Sequence, residues 1–233
     1  PNWEWIPSDR KCLSLCDATS AAFAMPIDWS KTDVATFSWQ KCLGGEAGHG
    51  MLVLGPRAVE RIDSYDPAWP LPKIFRLKKG GKLNRAIFEG DTINTPSLLC
   101  VEDYLDCLKW ADGIGLDGLI RKSLANLRTI EEWVTKNDWI TFLAASPEIR
   151  SNTSVCLSVV SDKVTVLPVE EQAKFLKGIA AEMGKRKIAY DIGSYKDAPP
   201  GFRFWCGPTI DPADIRTALG ELEKVYREKI ATL

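Results

Sequence analysis

Two residues have the types and neighbours for carbonyl chemistry. Lys41 ends an apolar run, Val34-Ala35-Thr36-Phe37-Ser38-Trp39-Gln40-Lys41, and opens a glycine-rich stretch, Cys42-Leu43-Gly44-Gly45. A lysine ammonium partly withdrawn from water gives up its proton more readily, and the neutral amine can condense with an aldehyde. Asp17 follows an earlier run, Cys12-Leu13-Ser14-Leu15-Cys16. A carboxylate fixed beside a pyridine-type ring keeps the ring nitrogen protonated, so that the ring can accept electrons. Each residue alone has a plainer role, a solvated turn charge or a turn cap. Together, at two strand ends, they define a candidate site.

That reading needs both strands to end on one edge of a sheet. Cys12–Cys16 and Val34–Phe37 read as short strands buried on both faces. The sixteen residues between Asp17 and Val34 exceed the roughly dozen needed for a parallel crossover. Asp17 and Lys41 then emerge at the carboxyl ends of neighbouring strands, where open α/β sheets bind ligands. From Lys41 to the next apolar run, Met51–Leu54, there are nine residues, four of them glycine. So few cannot hold a helical crossover, and the third strand is expected to run antiparallel to the second.

The rest of the chain alternates in type. Pro56 opens a short helix with Arg57, Glu60 and Arg61 facing out, and Tyr65–Asn84 reads as a long basic loop. Thr95-Pro96 starts a helix whose stripe is Leu98, Val101, Leu105 and Leu108. It ends near Gly113 and Gly115, and a second helix covers 116–136. Strands are expected at 139–143, 154–160, 187–190 and 202–206, with helices at 169–185 and from Asp211, an N-cap followed by Pro212. The second half therefore reads as a small α+β domain with a partly antiparallel sheet.

Composition narrows the function. With 30 Lys+Arg against 31 Asp+Glu, interspersed, the chain lacks the basic footprint of a nucleic-acid binder. Seven cysteines without a CxxC pair read as thiols in a reducing compartment, not as a disulfide framework or zinc site, so no metal is expected and the cytoplasm is the expected location. No signal peptide opens the chain, and no apolar run approaches the roughly 20 residues of a membrane span. The chain starts at Pro1 without an initiator Met, which reads as an N-terminus lost or cleaved.

Cys16-Asp17-Ala18-Thr19-Ser20-Ala21, Ser38-Trp39-Gln40-Lys41 with Gly44-Gly45-Glu46, and Ile93-Asn94-Thr95-Pro96 occur in this order. They resemble the phosphoserine aminotransferases, fold-type I pyridoxal-phosphate (PLP) enzymes, and most closely their alphaproteobacterial branch. The resemblance extends through Trp69-Pro70-Leu71-Pro72-Lys73-Ile74-Phe75 and Asp191-Ile192-Gly193-Ser194-Tyr195 to essentially the whole chain. It implies an α/β fold: the C-terminal part of the large cofactor domain, with a mostly parallel sheet, over 1–113, and a small α+β C-terminal domain over 114–233. The implied reaction moves an amino group between glutamate and 3-phosphohydroxypyruvate to make phosphoserine, in a homodimer whose sites are shared across the interface. Among other classes, a serine– or alanine–glyoxylate aminotransferase of the same fold and a non-catalytic module are the alternatives.

By position, Lys41 resembles the lysine that carries the cofactor, Asp17 the partner of the ring nitrogen, and Gln40 a neighbouring cofactor contact. Asn94 and Thr95 resemble the pair that reaches the cofactor phosphate across the dimer interface, and a helix N-terminus there suits an anion. Arg203 resembles the arginine that grips the substrate α-carboxylate, a contact suited to its planar fork. One departure is Asp197-Ala198-Pro199-Pro200, where better-known members have a His-Arg pair for the substrate phosphate. His49 and the loop around Arg76, Lys78 and Lys79 are the substitutes to consider. The other departure is length: family members carry a long region before the position of Pro1, which supplies the aromatic residue stacked on the cofactor ring and part of the phosphate cup.

Overall fold

The computed structural model describes residues 3–233. They divide into two compact units, one of residues 3–22 with Pro26–Gly113, the other of Phe23–Met25 with Ile114–Leu233.

The first unit is built on three strands, β1 (Leu15–Asp17), β2 (Val34–Ser38) and β3 (Gly50–Leu54), in the order β1-β2-β3. β1 is parallel to β2, with Asp17 opposite Thr36, and β2 is antiparallel to β3, with Ser38 opposite Gly50. The crossover and the hairpin thus follow the loop lengths, and the sheet is mixed. β1 lies later than expected, ending on Asp17 itself. It is not covered on both faces, since Leu15 is 76% exposed; apolar composition alone does not distinguish a covered strand from an edge strand.

Asp33, just before β2, joins the strand starts. Its backbone N–H donates to Ser14 O and its own carbonyl accepts from Gly55 N–H. Its Oδ2 accepts from Arg10 Nη2 at 2.9 Å and from Ser14 N–H at 2.8 Å, with both charged side chains only 6% exposed. After β3 comes α1 (Pro56–Ser64), opened by proline as expected. Arg57 does not face freely outward, because its guanidinium donates to Arg10 O and Cys12 O. The basic loop contains a short antiparallel hairpin, β4 (Lys78–Lys79) and β5 (Lys82–Leu83).

Helix α2 (Leu98–Ile114) begins later than Thr95, with the Ser97 hydroxyl accepting from Cys100 N–H. Its buried residues are Tyr104 and Ala111, whereas Leu98 and Leu105 are exposed. Apolar residues nearly all round the helix blur its period, and the aromatic packing of Tyr104 decides which face turns inward.

In the second unit α3 (Leu116–Val134) precedes β6 (Ile140–Phe142) and β7 (Ser154–Val159); a short α4 (Asp162–Thr165) leads to α5 (Val169–Lys185), then β8 (Phe202–Trp205) and α6 (Pro212–Ile230). Both ladders of the β6-β7-β8 sheet are antiparallel. Val155, Leu157, Val159, Phe202 and Phe204 turn one face of this sheet into a core shared with Ile179, Met183, Leu219 and Leu222, and Trp139 stacks on Tyr226 at 3.7 Å. The strand expected at 187–190 is absent. Lys187 adopts φ +58°, its N–H donates to Gly184 O, and Ile188 N–H reaches back to Met183 O. That pair of bonds is a Schellman stop, which reverses the chain instead of extending it. Asp211 sits at the N-cap of α6, but its carboxylate pairs with Lys122 at 2.8 Å instead of capping a backbone N–H.

Two amides are central to this unit. The buried Asn126 side chain donates to the carbonyls of Cys206, Gly207 and Ile210, and Asn152 Nδ2 donates to Ala24 O at 2.7 Å.

Candidate functional site

Asp17 is the last residue of β1, and Lys41 lies just beyond the end of β2, its parallel neighbour. The register therefore brings both to the carboxyl edge of the first unit's sheet. The Asp17 side chain is exposed, with Oδ1 accepting from Thr19 N–H at 3.0 Å. Hydrogen bonds from the Thr19 hydroxyl and backbone hold its carboxyl below the usual carboxylate range. An ionised carboxylate at a sheet edge is what a pyridinium nitrogen requires.

The turn carrying Lys41 is closed by its own backbone. Gly44 N–H donates to Lys41 O and Gly45 N–H to Trp39 O, both at 3.0 Å, and Trp39 N–H donates to His49 O at 3.4 Å. Gly44 has φ +76°, which a side chain would resist. At Gly50 a Cβ would lie 2.8 Å from Phe37 O, so glycine permits the return strand to pair directly after the turn. Trp39, Cys42 and Leu43 point inward and are buried, whereas Gln40 is exposed and Lys41 half-buried. The Cys42 thiol lies 3.6 Å from Ser20 O, and burial pushes its pKa up to about 12. It is a packing residue, not a second nucleophile.

The turn is also fixed to the start of α2. Trp39 stacks on Tyr104 with centroids 4.0 Å apart and meets the His49 ring edge-on at 5.2 Å. Glu46 N–H donates to Asp103 Oδ2 at 3.0 Å, and Ser97 N–H donates to His49 Nε2 at 3.1 Å. Asn94 and Thr95 are exposed and lie in the segment before α2, not in its first turn. His49, considered for the substrate phosphate, uses Nε2 as an acceptor, which leaves Nδ1 as the ring nitrogen able to donate to a phosphate oxygen. Nothing in its type or spacing signalled this contact with Ser97. Arg76 donates Nε–H to Leu71 O at 2.7 Å and lines a cavity of about 420 Å³ together with Arg61, Tyr65, Trp69, Phe75 and Lys78. Lys78 is engaged by Asp66 at 2.8 Å.

Arg203 belongs to the second unit. On β8 it alternates with the buried Phe202 and Phe204, so it stands on the face away from that core. Its Nη2 donates to Asp191 Oδ2 at 3.0 Å, and its guanidinium lies 5.5 Å from the Tyr195 ring centroid. Asp191 has φ +53° and an 89% exposed side chain, so its carboxylate is accessible to water.

No family model matches the chain. A phosphoserine aminotransferase of Methanosarcina barkeri is 56% identical over 97% of the chain. The chain is a relative of the phosphoserine aminotransferases. It spans 59% of the length of that relative. Among solved structures, the PLP-bound phosphoserine aminotransferase of Trichomonas vaginalis matches with a TM-score of 0.70 at 17% identity, covering 92% of this chain and 55% of that one. An alanine–glyoxylate aminotransferase of Nostoc sp. matches with a TM-score of 0.72 at 17% identity, covering 92% and 54%. The fold is therefore that of the fold-type I PLP-dependent aminotransferases. Among the described residues no helix is long and apolar enough to cross a membrane, and no cluster of His, Cys, Asp and Glu could hold a metal.

Proposed function

We propose that the protein is a PLP-dependent aminotransferase that exchanges the amino group between glutamate and 3-phosphohydroxypyruvate, producing phosphoserine for serine biosynthesis. The 56% identity over 97% of the chain to a phosphoserine aminotransferase carries this reading. The edge occupied by Asp17 and Lys41 fits the cofactor: an ionised carboxylate for the ring nitrogen and an amine in the turn just past the adjacent parallel strand. When bound, PLP supplies an electron sink for the charge that develops at the substrate α-carbon. Lys41 would hold the cofactor, and its amine, freed when the substrate amino group takes its place, would move the proton to and from the substrate α-carbon as base and acid. Asp17 keeps the ring nitrogen protonated, and Gln40 contacts the cofactor beside Lys41. Asn94 and Thr95 reach the cofactor phosphate of a partner subunit in a cytoplasmic homodimer. Arg203 binds the substrate α-carboxylate, and Arg76, with Arg61 on the same cavity, is the candidate for the substrate phosphate. In this reading residues 1–113 close the large cofactor domain and 114–233 form the small domain.

A serine– or alanine–glyoxylate exchange is the second reading, favoured by Asp197-Ala198-Pro199-Pro200, which offers no basic side chain for a substrate phosphate. Two measurements on the complete polypeptide decide. The expected result is a cofactor absorption band that Lys41→Ala abolishes, with turnover of 3-phosphohydroxypyruvate faster than that of unphosphorylated keto acids. Absence of the band sinks both enzyme readings; a preference for glyoxylate or pyruvate selects the second.

A further inference from the structure

The contact between His49 and Ser97 joins two pieces of the site that are far apart in sequence. Ser97 caps α2 through its hydroxyl, which accepts from Cys100 N–H, so its backbone N–H points away from the helix and is left for another acceptor. That acceptor is His49 Nε2, at 3.1 Å. Pro96, immediately before, has no N–H and a fixed φ. The Ser97 N–H is therefore the nearest donor, after the proline, by which the Asn94-Thr95 segment can be anchored. At the other end, the His49 carbonyl closes the Lys41 turn by accepting from Trp39 N–H, and the His49 ring packs edge-on against Trp39. One residue thus ends the turn that carries Lys41 and fixes the approach of Asn94 and Thr95.

We infer that His49 is a positioning residue whose neutral imidazole, protonated on Nδ1 and accepting at Nε2, sets the Asn94-Thr95 segment relative to the Lys41 turn. The inference rests on the proposed function for what those residues bind, but the clamp is defined by the contacts alone. Acceptance at Nε2 requires that nitrogen to carry no proton, which leaves the proton of a neutral ring on Nδ1. The contact is also a demand on the segment: without an acceptor, Ser97 N–H must turn to water and Thr95 turns with it. Trp39 and Tyr104 hold the base of the turn independently, so removing the acceptor loosens the segment and not the turn.

In an untagged, 15N-labelled sample of the complete protein the His49 imidazole is assigned in a long-range proton–nitrogen spectrum as the signal that is missing from His49→Gln. At neutral pH the expected result is a bare, hydrogen-bonded Nε2 and a protonated Nδ1. A ring protonated on Nε2, alone or together with Nδ1, overturns the inference. His49→Phe keeps an aromatic edge for Trp39 without an acceptor, and His49→Gln restores an acceptor. In the Phe variant amide exchange at Ser97 is expected to accelerate by about 5-fold, the equivalent of one ordinary hydrogen bond, and the PLP dissociation constant to rise by a similar factor. Gln is expected to recover both. Unchanged Ser97 exchange in His49→Phe, or equal exchange in the Phe and Gln variants, refutes the clamp. If the spectrum and exchange behave as expected but no PLP binds, the functional reading fails and the clamp stands.

Discussion

Replacing Asp33 by asparagine isolates the charge at the junction of the first unit's strands. In the folded chain Asp33 Oδ2 accepts from Arg10 Nη2 at 2.9 Å, Arg10 Nε at 3.2 Å and Ser14 N–H at 2.8 Å, with Arg57 Nη1 at 3.8 Å. An asparagine oxygen can still accept from Ser14 N–H, but Arg10, itself 6% exposed, loses its counter-charge. Breaking a buried pair from one side costs about 3–5 kcal/mol. The retained Ser14 bond returns about 1 kcal/mol, so Asp33→Asn is expected to lower unfolding stability by about 3 kcal/mol. Urea unfolding followed by tryptophan fluorescence measures this, and Arg10→Met in a double-mutant cycle should show about 2 kcal/mol of coupling. The pH dependence has a definite sign. Burial raises the Asp33 pKa, but Ser14 N–H and Arg10 together outweigh burial and hold it below the ordinary range. Its contribution is therefore full above the unfolded value of about 3.9 and is lost as pH falls through the lower folded value; Asp33→Asn should lack this part of the acid limb. A change within about 0.5 kcal/mol at neutral pH, with the acid limb intact, would refute the assignment of the junction to this ion pair.

Asp191 occupies the Arg203 guanidinium with its carboxylate, and in the function proposed above the substrate carboxylate would have to replace it. An exposed pair of this kind is worth about 0–1 kcal/mol, so Asp191→Asn should lower KM for the amino donor by up to about 5-fold with kcat little changed. A raised KM in steady-state assays would mean that Asp191 aims Arg203 instead of competing for it. Asn126→Leu keeps the volume but leaves the carbonyls of Cys206, Gly207 and Ile210 without their amide donor. At about 1–3 kcal/mol for each buried acceptor left unpaired, and two protons on the amide, a loss of about 2–6 kcal/mol is expected in urea unfolding. A change near zero would show that the three carbonyls find other donors.

What could be read in advance depended on how locally each feature is determined. The nine residues between Lys41 and Met51 cannot cross a sheet, and the antiparallel β2–β3 pair follows from that length. The sixteen before Val34 permit the parallel β1–β2 pair in the same way. Helix α5 occupies 169–185 as its pattern implied, because Pro168 bounds one end and its apolar period is clean. The apparent strand at 187–190 failed because a non-glycine residue, Lys187, took the left-handed conformation that ends α5. The stripe of α2 was misplaced because the stack of Tyr104 on Trp39 is a tertiary choice. At the candidate site, Asp17 was legible as the end of β1 and Lys41 as a residue of the turn just past β2. The His49–Ser97 bond was not, since it joins residues 48 apart through a backbone N–H that has no side-chain signature.

The buried thiols have a practical consequence. Cys42 in the first unit and Cys206 in the second are both shielded, and burial pushes each pKa up to about 12. Only the thiolate reacts with an alkylating reagent, so neither is modified while its unit stays closed. A brief pulse of iodoacetamide in partial denaturant, followed by peptide mapping, would time-stamp the opening of each unit separately, with the exposed Cys12 as the internal control for reagent.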